Sequence, residues 1–417
     1  MNAEVISKCE KARQAASTLA ACSTTQKNSA LDSIADFLEK NIKNILEANK
    51  LDLDRLEKED HYTEAFRDRL LLNEARIFEM AQGLREISVL KDPIGEVTKM
   101  WKRPNGLEIG QTRVPIGVIA IIYEARPNVT VDASGLTLKA GNAVILRGSS
   151  EALHSNRVLV KLIRQGLLDA GLPEDSVALI EDSDRAAVLD LLKANQYLDL
   201  LIPRGGPSLI ETVINNASVP VIQTGAGNCH IYVDDNSDLD KALAIAINAK
   251  VQRPGVCNAM ETLLVHQDVA DDYLTKLIPA LEKKGVEIRG CPQTVQYSTN
   301  IKPAVDEDWN TEFLDLILAV KVVENIDQAV EHINKHGTGH SEAIITDSYS
   351  QARYFLKTVD AAAVYVNAST RFTDGSAFGL GAEIGISTQK LHARGPMGLE
   401  TLTALKYFIF GSGQVRE

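Results

Sequence analysis

Between residues 117 and 366, short apolar runs alternate with longer stretches whose apolar residues recur at helical spacing. Residues 117–123, 143–147, 198–202 and 219–222 are runs of this kind. Mostly apolar runs of this length predict strands buried on both faces, and their alternation with helices is typical of a parallel sheet. The chain is therefore predicted to have an α/β fold.

The alternation falls into two series, and the length of 417 residues fits two or three domains of about 150 residues each. The pair Asn105-Gly106 lies between two extended segments and predicts a β-hairpin, which is either an assembly arm or an ordinary surface hairpin. The predicted division is a first domain of residues 1–97 and 115–228, a second domain of residues 229–366, an arm of residues 98–114 and 385–417, and a return of residues 367–384 to the first domain.

Composition excludes several classes of protein. The net charge of −12, from 44 Lys and Arg against 56 Asp and Glu, argues against a broad surface for nucleic acid or anionic membranes. The longest apolar run contains Pro115 and Gly117 and is too short to span a bilayer. The N-terminal segment lacks the apolar core of a signal peptide, and five scattered cysteines do not form a disulfide framework. We therefore expect a cytoplasmic protein that binds neither nucleic acid nor membranes.

Two strand-to-helix turns have the composition of phosphate-binding sites. Neither G-x-G-x-x-G nor a Walker lysine motif occurs, so a nucleotide would have to bind at other turns. The turns at Arg147-Gly148-Ser149 and at Arg204-Gly205-Gly206 combine arginine and glycine with a nearby hydroxyl where a helix begins. Such helix starts bind phosphate oxygens, although glycine and serine also serve as plain caps.

Cys257 is the candidate nucleophile among the five cysteines. It follows Gln252-Arg-Pro-Gly-Val in a polar segment between a helical run and a strand, with Arg253 four residues before it. A thiol beside a cation is partly ionised and therefore nucleophilic. A purely structural cysteine is the alternative.

Two further polar segments have alternative interpretations. Residues 365–375 leave a strand and become polar at once, which suits an anionic substrate bound beyond the carboxyl end of a strand, or a solvated loop. His332, His336 and His340 recur every four residues, but Gly337 and Gly339 interrupt the helix there. We predict no metal site and interpret the histidines as helix-end residues.

Five runs of the chain carry a specific resemblance. They are Tyr-Glu-Ala-Arg-Pro-Asn-Val-Thr-Val-Asp (123–132), Gly-Asn-Ala-Val-Ile-Leu-Arg-Gly (141–148), Leu-Ile-Pro-Arg-Gly-Gly (201–206), Tyr-Val-Asn-Ala-Ser-Thr-Arg-Phe-Thr-Asp-Gly (365–375) and His-Ala-Arg-Gly-Pro-Met-Gly (392–398). In content and order these runs closely resemble the gamma-glutamyl phosphate reductases of the aldehyde dehydrogenase superfamily. The resemblance extends over essentially the whole chain.

This resemblance implies an aldehyde dehydrogenase-like α/β fold, with two parallel α/β sandwich domains. The hairpin and the C-terminal strand would form an oligomerisation element, hence a homo-oligomer. The first domain would bind NADPH and the second would carry Cys257. The implied reaction is the NADPH-dependent reduction of L-glutamyl 5-phosphate to L-glutamate 5-semialdehyde and phosphate, the second step of proline biosynthesis, with functional coupling to glutamate 5-kinase. Cys257 would attack the acyl phosphate and form a thioester, which hydride then reduces.

The resemblance also implies roles for other residues. Asn128 and the backbone N–H of Cys257 would bind the oxyanion. Arg147 would pair with the 2′-phosphate of NADPH, and Glu312 would hold the nicotinamide ribose. The remaining predicted contacts are Ser149, Gly205 and Gly206 with the cofactor, and Arg253, Ser369, Thr370, Arg371 and Arg394 with the substrate.

One departure from the superfamily concerns hydrolysis. Hydrolytic aldehyde dehydrogenases carry a glutamate that activates water, and Gln223 stands about where that glutamate would be. An amide is not a general base, so the thioester should be exchanged with phosphate and not with water. A hydrolytic aldehyde dehydrogenase is the alternative function, and a non-catalytic nucleotide-binding protein is a third.

Overall fold

The computed structural model describes residues 2–58 and 63–416. The chain divides into two compact units, the first comprising Met1–Gln223, Gly379–Gly385 and Met397–Glu417, and the second Thr224–Phe378 and Ile386–Pro396. The predicted boundaries therefore need three corrections. Residues 224–228 and 367–378, expected in the first domain, belong to the second unit. So do residues 386–396, which were assigned to the arm.

Helices begin the first unit. Four of the first five are capped at their starts by the side chains of Asn2, Ser23, Thr63 and Asn73, and Ser23 and Gln26 form a reciprocal capping box at the second helix. Asn73 accepts a hydrogen bond from the backbone N–H of Arg76 (2.9 Å) and so caps the fifth. The helices are α1 (Ala3–Leu19), α2 (Thr24–Lys40), α3 (Ile42–Leu56), α4 (Glu64–Leu70), α5 (Glu74–Val89), α6 (Pro127–Lys139), α7 (Leu153–Asp169), α8 (Arg185–Leu192) and α9 (Pro207–Asn216).

The strands of the first unit form two sheets. They are β1 (Val97–Lys102), β2 (Glu108–Pro115), β3 (Val118–Tyr123), β4 (Ala143–Arg147), β5 (Val177–Leu179), β6 (Leu200–Arg204) and β16 (Thr403–Phe410). Four strands make a parallel sheet in the order β5-β4-β3-β6. Because the chain order reverses between β3 and β6, the carboxyl ends of these two strands form the switch point at which α/β sheets bind ligands. The strand predicted at residues 219–222 is reduced to one isolated bridge, between Leu201 and Val221.

The predicted hairpin and C-terminal strand form a sheet of their own. β1 pairs antiparallel with β2, and β16 pairs with the other edge of β2 along its whole length. Asn105 and Gly106 lie at the hairpin tip, and Gly106 adopts φ 90°, a conformation that favours glycine. The sheet exposes large apolar side chains of both outer strands: Met100, Trp101, Tyr407, Ile409 and Phe410.

The second unit is built on a parallel sheet of seven strands, in the order β10-β9-β11-β8-β7-β12-β13. Its central strands are buried throughout and mostly apolar, as nearly continuous apolar runs predict. The strands are β7 (Cys229–Val233), β8 (Met260–His266), β9 (Glu287–Gly290), β10 (Lys302–Pro303), β11 (Ile317–Val323), β12 (Ser341–Ile345) and β13 (Ala363–Val366), with a separate pair β14 (Ile386–Ser387) and β15 (Gly395–Pro396). The helices are α10 (Leu239–Val251), α11 (Gln267–Glu282), α12 (Ile326–His336) and α13 (Tyr349–Thr358).

None of the helices formed by the described residues is long and apolar enough to cross a membrane.

Candidate active site

Cys257 is half-buried on the loop that joins α10 to β8. An ideal Cβ on Gly227 would lie 1.5 Å from the carbonyl oxygen of Cys257, so glycine is required for this approach of two backbone segments. Cys229, the first residue of β7, donates its thiol hydrogen to the same carbonyl oxygen (Sγ to O, 3.2 Å). The backbone of the candidate nucleophile is therefore held from two sides.

A buried polar chain continues behind Cys229. Its sulfur lies 3.7 Å from Nδ1 of His340, which is 2.8 Å from the hydroxyl oxygen of Ser341. That hydroxyl donates to Thr373 Oγ1 (2.7 Å). Burial lowers the pKa of His340 to about 4, so the imidazole is neutral at neutral pH. The chain links the starts of β7 and β12 to the segment after β13.

Two carboxylates lie on segments that border the Cys257 loop. Glu312 accepts a hydrogen bond from the backbone N–H of Gly227 (2.8 Å), and burial raises its pKa. Glu261 is fully buried and pairs with Lys250 (Oε2 to Nζ, 2.5 Å). Burial raises the pKa of Glu261 to about 7 and lowers the pKa of Lys250. Neither Glu261 nor Lys250 was predicted as a site residue, although each is a charge in an otherwise apolar run that flanks the cysteine loop.

Two arginines lie near each other at the Cys257 loop. Burial, followed by the nearby charge of Arg253, lowers the pKa of Arg371. Arg371 also interacts electrostatically with Cys257. The Nε of Arg371 donates to the side chain of Gln252 (2.8 Å). Arg253 is exposed and has no hydrogen bond or ion pair to any residue in 2–58 or 63–416. Arg371 is thus close enough to both Arg253 and Cys257 for their charges to interact, and the contacts of the two arginines with a substrate stay a prediction.

The other three predicted substrate contacts have different partners. Thr370 is fully buried, and its hydroxyl donates to the carbonyl oxygen of Asn258 (2.7 Å). The Ser369 hydroxyl is buried and accepts the backbone N–H of Arg371 (3.3 Å). Arg394 pairs with Asp360 (2.8 Å), which also pairs with Lys390. The polar groups of Ser369, Thr370 and Arg394 thus already have partners within the chain, and their contacts with a substrate stay a prediction.

The edge of the sheet also differs from the expected one. The amino ends of four parallel strands carry these residues: one to five residues before β7, β8, β11 and β12 stand Gly227, Cys257, Glu312 and His340, respectively. The polar segment after β13 folds back to them through a short 3₁₀ turn at Thr370–Phe372. The sequence predicts this segment beyond the carboxyl ends because the apolar run of β13 can be recognised in the sequence. The fold of the following residues back to the amino ends of the strands has no such local signal.

The predicted cofactor residues Arg147 and Ser149 lie in the first unit, at the carboxyl end of β4. Burial lowers the pKa of Arg147, whose guanidinium donates to the carbonyl oxygens of Gly148 and Ser183. Its Nε and the hydroxyl of Ser149 are buried and find no hydrogen-bond partner among the described residues. Buried polar atoms normally have a hydrogen-bond partner. Two such atoms without one at the same turn fit contacts with the ribose or phosphate of a dinucleotide.

The second predicted turn already contains an anion of the chain. The backbone N–H of Gly206, at the start of α9, donates to Glu124 Oε1 (2.6 Å). A Cβ on Gly205 would lie 2.7 Å from the same carboxylate. Both glycines are thus at the switch point of the sheet, and their contact with a cofactor stays a prediction that requires Glu124 to move.

Asn128 lies in the first turn of α6 and is exposed. Its amide donates to the carboxylate of Asp132, one helical turn later (3.1 Å). Burial raises the pKa of Asp132 to about 6. One N–H of Asn128 is therefore used within α6, and its contact with an oxyanion stays a prediction.

The three regularly spaced histidines do not share one helix. His332 and His336 belong to α12, which ends at His336, and His340 immediately precedes β12. Burial lowers the pKa of His332 to about 2. Among the described residues the group with metal-ligand spacing is a different one, Asp235, His266 and Asp268.

The model of the aldehyde dehydrogenase family matches residues 1–307 and 303–406 of the chain. The chain therefore belongs to the aldehyde dehydrogenase family. The gamma-glutamyl phosphate reductase of Moorella thermoacetica is 62% identical over 414 residues, which cover 99% of this chain and 99% of that protein. The enzyme of the same name from Halothermothrix orenii is 59% identical with the same coverage. Within its family the chain thus belongs to the gamma-glutamyl phosphate reductases.

Solved structures agree with this assignment. The crystal structure of gamma-glutamyl phosphate reductase from Thermotoga maritima has a TM-score of 0.97 at 52% identity, covering 99% of this chain and 100% of that chain. An acetylating aldehyde dehydrogenase from Geobacillus thermoglucosidasius, 16% identical, has a TM-score of 0.73 over 99% of this chain and 98% of that chain, which is a likeness of fold alone. The predicted aldehyde dehydrogenase-like fold with parallel sheets is confirmed.

Proposed function

We propose that the protein reduces L-glutamyl 5-phosphate to L-glutamate 5-semialdehyde and phosphate, with NADPH as the reductant, in the biosynthesis of proline. The observation that carries this proposal is the placement of Cys257 on a loop closed by Gly227, within electrostatic range of Arg371 and four residues after Arg253. A nucleophilic thiol near a cation suits a substrate that is both an acylating agent and an anion. The names of the full-length relatives supply the substrate class.

Cys257 begins the reaction in this proposal. Its thiolate attacks the acyl carbon of glutamyl phosphate, the carbon–oxygen bond to phosphate breaks, and phosphate leaves with the electron pair. The charge of Arg371 favours both the thiolate and the departing phosphate because it interacts with Cys257. Arg253, on the same loop as the cysteine, is proposed to bind the phosphate with it. The backbone N–H of Cys257 and the amide of Asn128 are the proposed donors to the oxyanion. After reduction of the thioester, collapse of the thiohemiacetal returns the thiolate and releases the aldehyde.

Membership of the aldehyde dehydrogenase family implies a nicotinamide cofactor, and NADPH is the proposed form. Bound NADPH would supply the hydride that reduces the thioester. Arg147 and Ser149 would hold it in the first unit, since their orphaned buried atoms match a polar ligand, and Gly205 and Gly206 are proposed beside them. Glu312 would hold the nicotinamide ribose with the carboxylate that already anchors Gly227.

Phosphate dependence is the property that separates this function from the hydrolytic alternative. Gln223 provides an amide and not a carboxylate at the position predicted for the water-activating base, so deacylation by water should be slow. In the reverse direction, semialdehyde and NADP⁺ should give NADPH only when phosphate or arsenate is added. Rapid NADPH formation without either anion would establish the hydrolytic enzyme instead.

The thiol itself is tested by Cys257→Ser. This variant should lose activity in both directions by about 10³-fold or more, because the hydroxyl is a far weaker nucleophile without a base. Cys22→Ser is the matched control, since Cys22 belongs to the first unit, where it follows α1 and donates its thiol hydrogen to the carbonyl oxygen of Thr18. A wild type that binds NADPH but shows no turnover would support the non-catalytic interpretation.

We also propose a cytoplasmic homo-oligomer that is functionally coupled to glutamate 5-kinase. The assembly surface is the sheet β1-β2-β16, where Trp101, Tyr407 and Phe410 are 40%, 56% and 61% exposed. Exposed apolar side chains on neighbouring strands favour burial against a second copy. Light scattering after size-exclusion chromatography should show more than one subunit in the wild type and a smaller mass for Tyr407→Lys; equal masses would contradict this surface.

A further inference from the structure

The buried pair Lys250 and Glu261 brackets the loop that carries Cys257. Lys250 is in the last turn of α10, seven residues before the cysteine, and Glu261 is in β8, four residues after it. Both side chains are 0% exposed and their Nζ and Oε2 atoms lie 2.5 Å apart. The ion pair therefore ties the two ends of the catalytic loop together inside the second unit.

A β-bulge aims the carboxylate of Glu261. Cys229 pairs with Met260 and His230 pairs with Thr262, so Glu261 is the extra residue between two regular pairs. A bulge turns the side chain of its extra residue away from the normal alternation of the strand, and bulges recur beside active sites for this reason. The second carboxylate oxygen of Glu261 accepts the backbone N–H of Leu314 (3.1 Å).

Leu314 belongs to the segment that carries Glu312. Its φ of 54° is a left-handed conformation that costs free energy for a residue other than glycine and persists where neighbouring contacts impose it. Two residues earlier, Glu312 accepts the N–H of Gly227, and Gly227 packs against the carbonyl of Cys257. The contacts close a ring that runs from the Cys257 loop through Glu261, the Glu312 segment and Gly227 back to Cys257.

We propose that Lys250 and Glu261 are a positioning pair that fixes the Glu312 segment relative to the Cys257 loop. Neither residue touches the reacting atoms. The pair acts through the hydrogen bond from Leu314, which sets where the carboxylate proposed to hold the cofactor lies relative to the nucleophile. The role of Glu312 in holding the cofactor rests on the proposed function. The coupling of the Glu312 segment to the Cys257 loop does not depend on that function.

Two double variants separate the hydrogen bond from the charge. Lys250→Met with Glu261→Leu removes the ion pair and the acceptor for Leu314, and apolar replacement of a buried pair commonly preserves folding. Lys250→Gln with Glu261→Gln also removes both charges but keeps an oxygen that accepts from Leu314. Single variants are avoided because each would leave an unpaired buried charge.

Hydrogen exchange of the ligand-free protein is the first measurement. In the Met/Leu variant, amides of residues 252–259 and 311–316 should exchange at least about 10-fold faster, while the Gln/Gln variant should resemble the wild type. In steady-state kinetics, the Met/Leu variant should lose about 10-fold or more in kcat, with the KM for glutamyl phosphate within about 3-fold, and Gln/Gln should recover most of the loss.

Equal exchange and equal kcat in the two double variants would overturn the proposal, because a purely structural pair would not distinguish them at similar thermal stability. Loss of protection throughout the second unit in the Met/Leu variant would also overturn it. A wild type that does not reduce glutamyl phosphate would remove the proposed function; accelerated exchange confined to the two segments would still support the coupling.

Discussion

Replacing Gly227 by alanine should disable the enzyme through one methyl group. The new Cβ would lie 1.5 Å from the carbonyl oxygen of Cys257, 2.3 Å from its carbonyl carbon and 2.7 Å from its Cα. Non-bonded heavy atoms require about 3.5 Å, so the two backbone segments would have to separate by about 2 Å. All three contacts are backbone atoms, which cannot rotate away. A displacement of about 1 Å in a catalytic group can cost about 10²-fold in rate, and we expect at least that loss in kcat for Gly227→Ala.

The assay is phosphate-dependent reduction of NADP⁺ by the semialdehyde, together with thermal unfolding of the same sample. Gly255→Ala is the matched control: it lies two residues before Cys257, and a Cβ added there would lie 3.6 Å from the carbonyl oxygen of Leu314, an ordinary contact. It should keep activity within about 3-fold of the wild type. If Gly227→Ala retains activity within that same range at an unchanged unfolding temperature, the backbone contact does not position the nucleophile.

Three other outcomes follow from single groups. Arg371→Gln should raise the KM for glutamyl phosphate by about 10-fold or more with little change in the Kd for NADPH. Equal losses on both ligands would contradict a substrate role for Arg371. Burial lowers the pKa of His340 from 6.5 to about 4. Between pH 6.5 and pH 4 the unfolded state therefore binds more protons than the folded state. As the pH drops through this range, the free energy of unfolding should fall by about 3 kcal/mol. Urea unfolding at several pH values should show a shallower acid slope in His340→Asn, and an unchanged slope would refute this. Lys27→Met leaves the buried carboxylate of Asp92 without its ion-pair partner, whose Nζ lies 2.5 Å away in the wild type. This should cost about 3–5 kcal/mol of stability, which thermal unfolding would detect. Replacing both residues by apolar ones should largely restore the stability.

Most of the fold could be predicted because its signals are local. The apolar run at 117–123 gives β3, and the Asn105-Gly106 pair gives the hairpin, since strand burial and turn type depend on neighbouring residues. The pairing of β16 with β2 joins segments almost 300 residues apart and was accessible only through family resemblance. Residues 219–222 show the limit of the local signal. An apolar run forms a strand only where the edge of a neighbouring strand pairs with it over several residues, and here one bridge forms.

The candidate site could be predicted less well, because a polar side chain near a site has two uses that look alike in the sequence. Arg371 and Arg394 both follow β13 and both suited an anionic substrate, yet Arg394 binds Asp360, 34 residues away, while Arg371 lies beside the thiol. The same ambiguity affects acids: Glu261 looks like a strand residue until its bulge and its two partners are known. When one member of a buried ion pair is removed, the measured loss is mainly the cost of leaving the other charge buried without a partner. It does not measure the part that the removed residue plays in catalysis. Roles around Cys257 must therefore be tested with paired substitutions that keep the hydrogen bond and remove the charge, or the reverse.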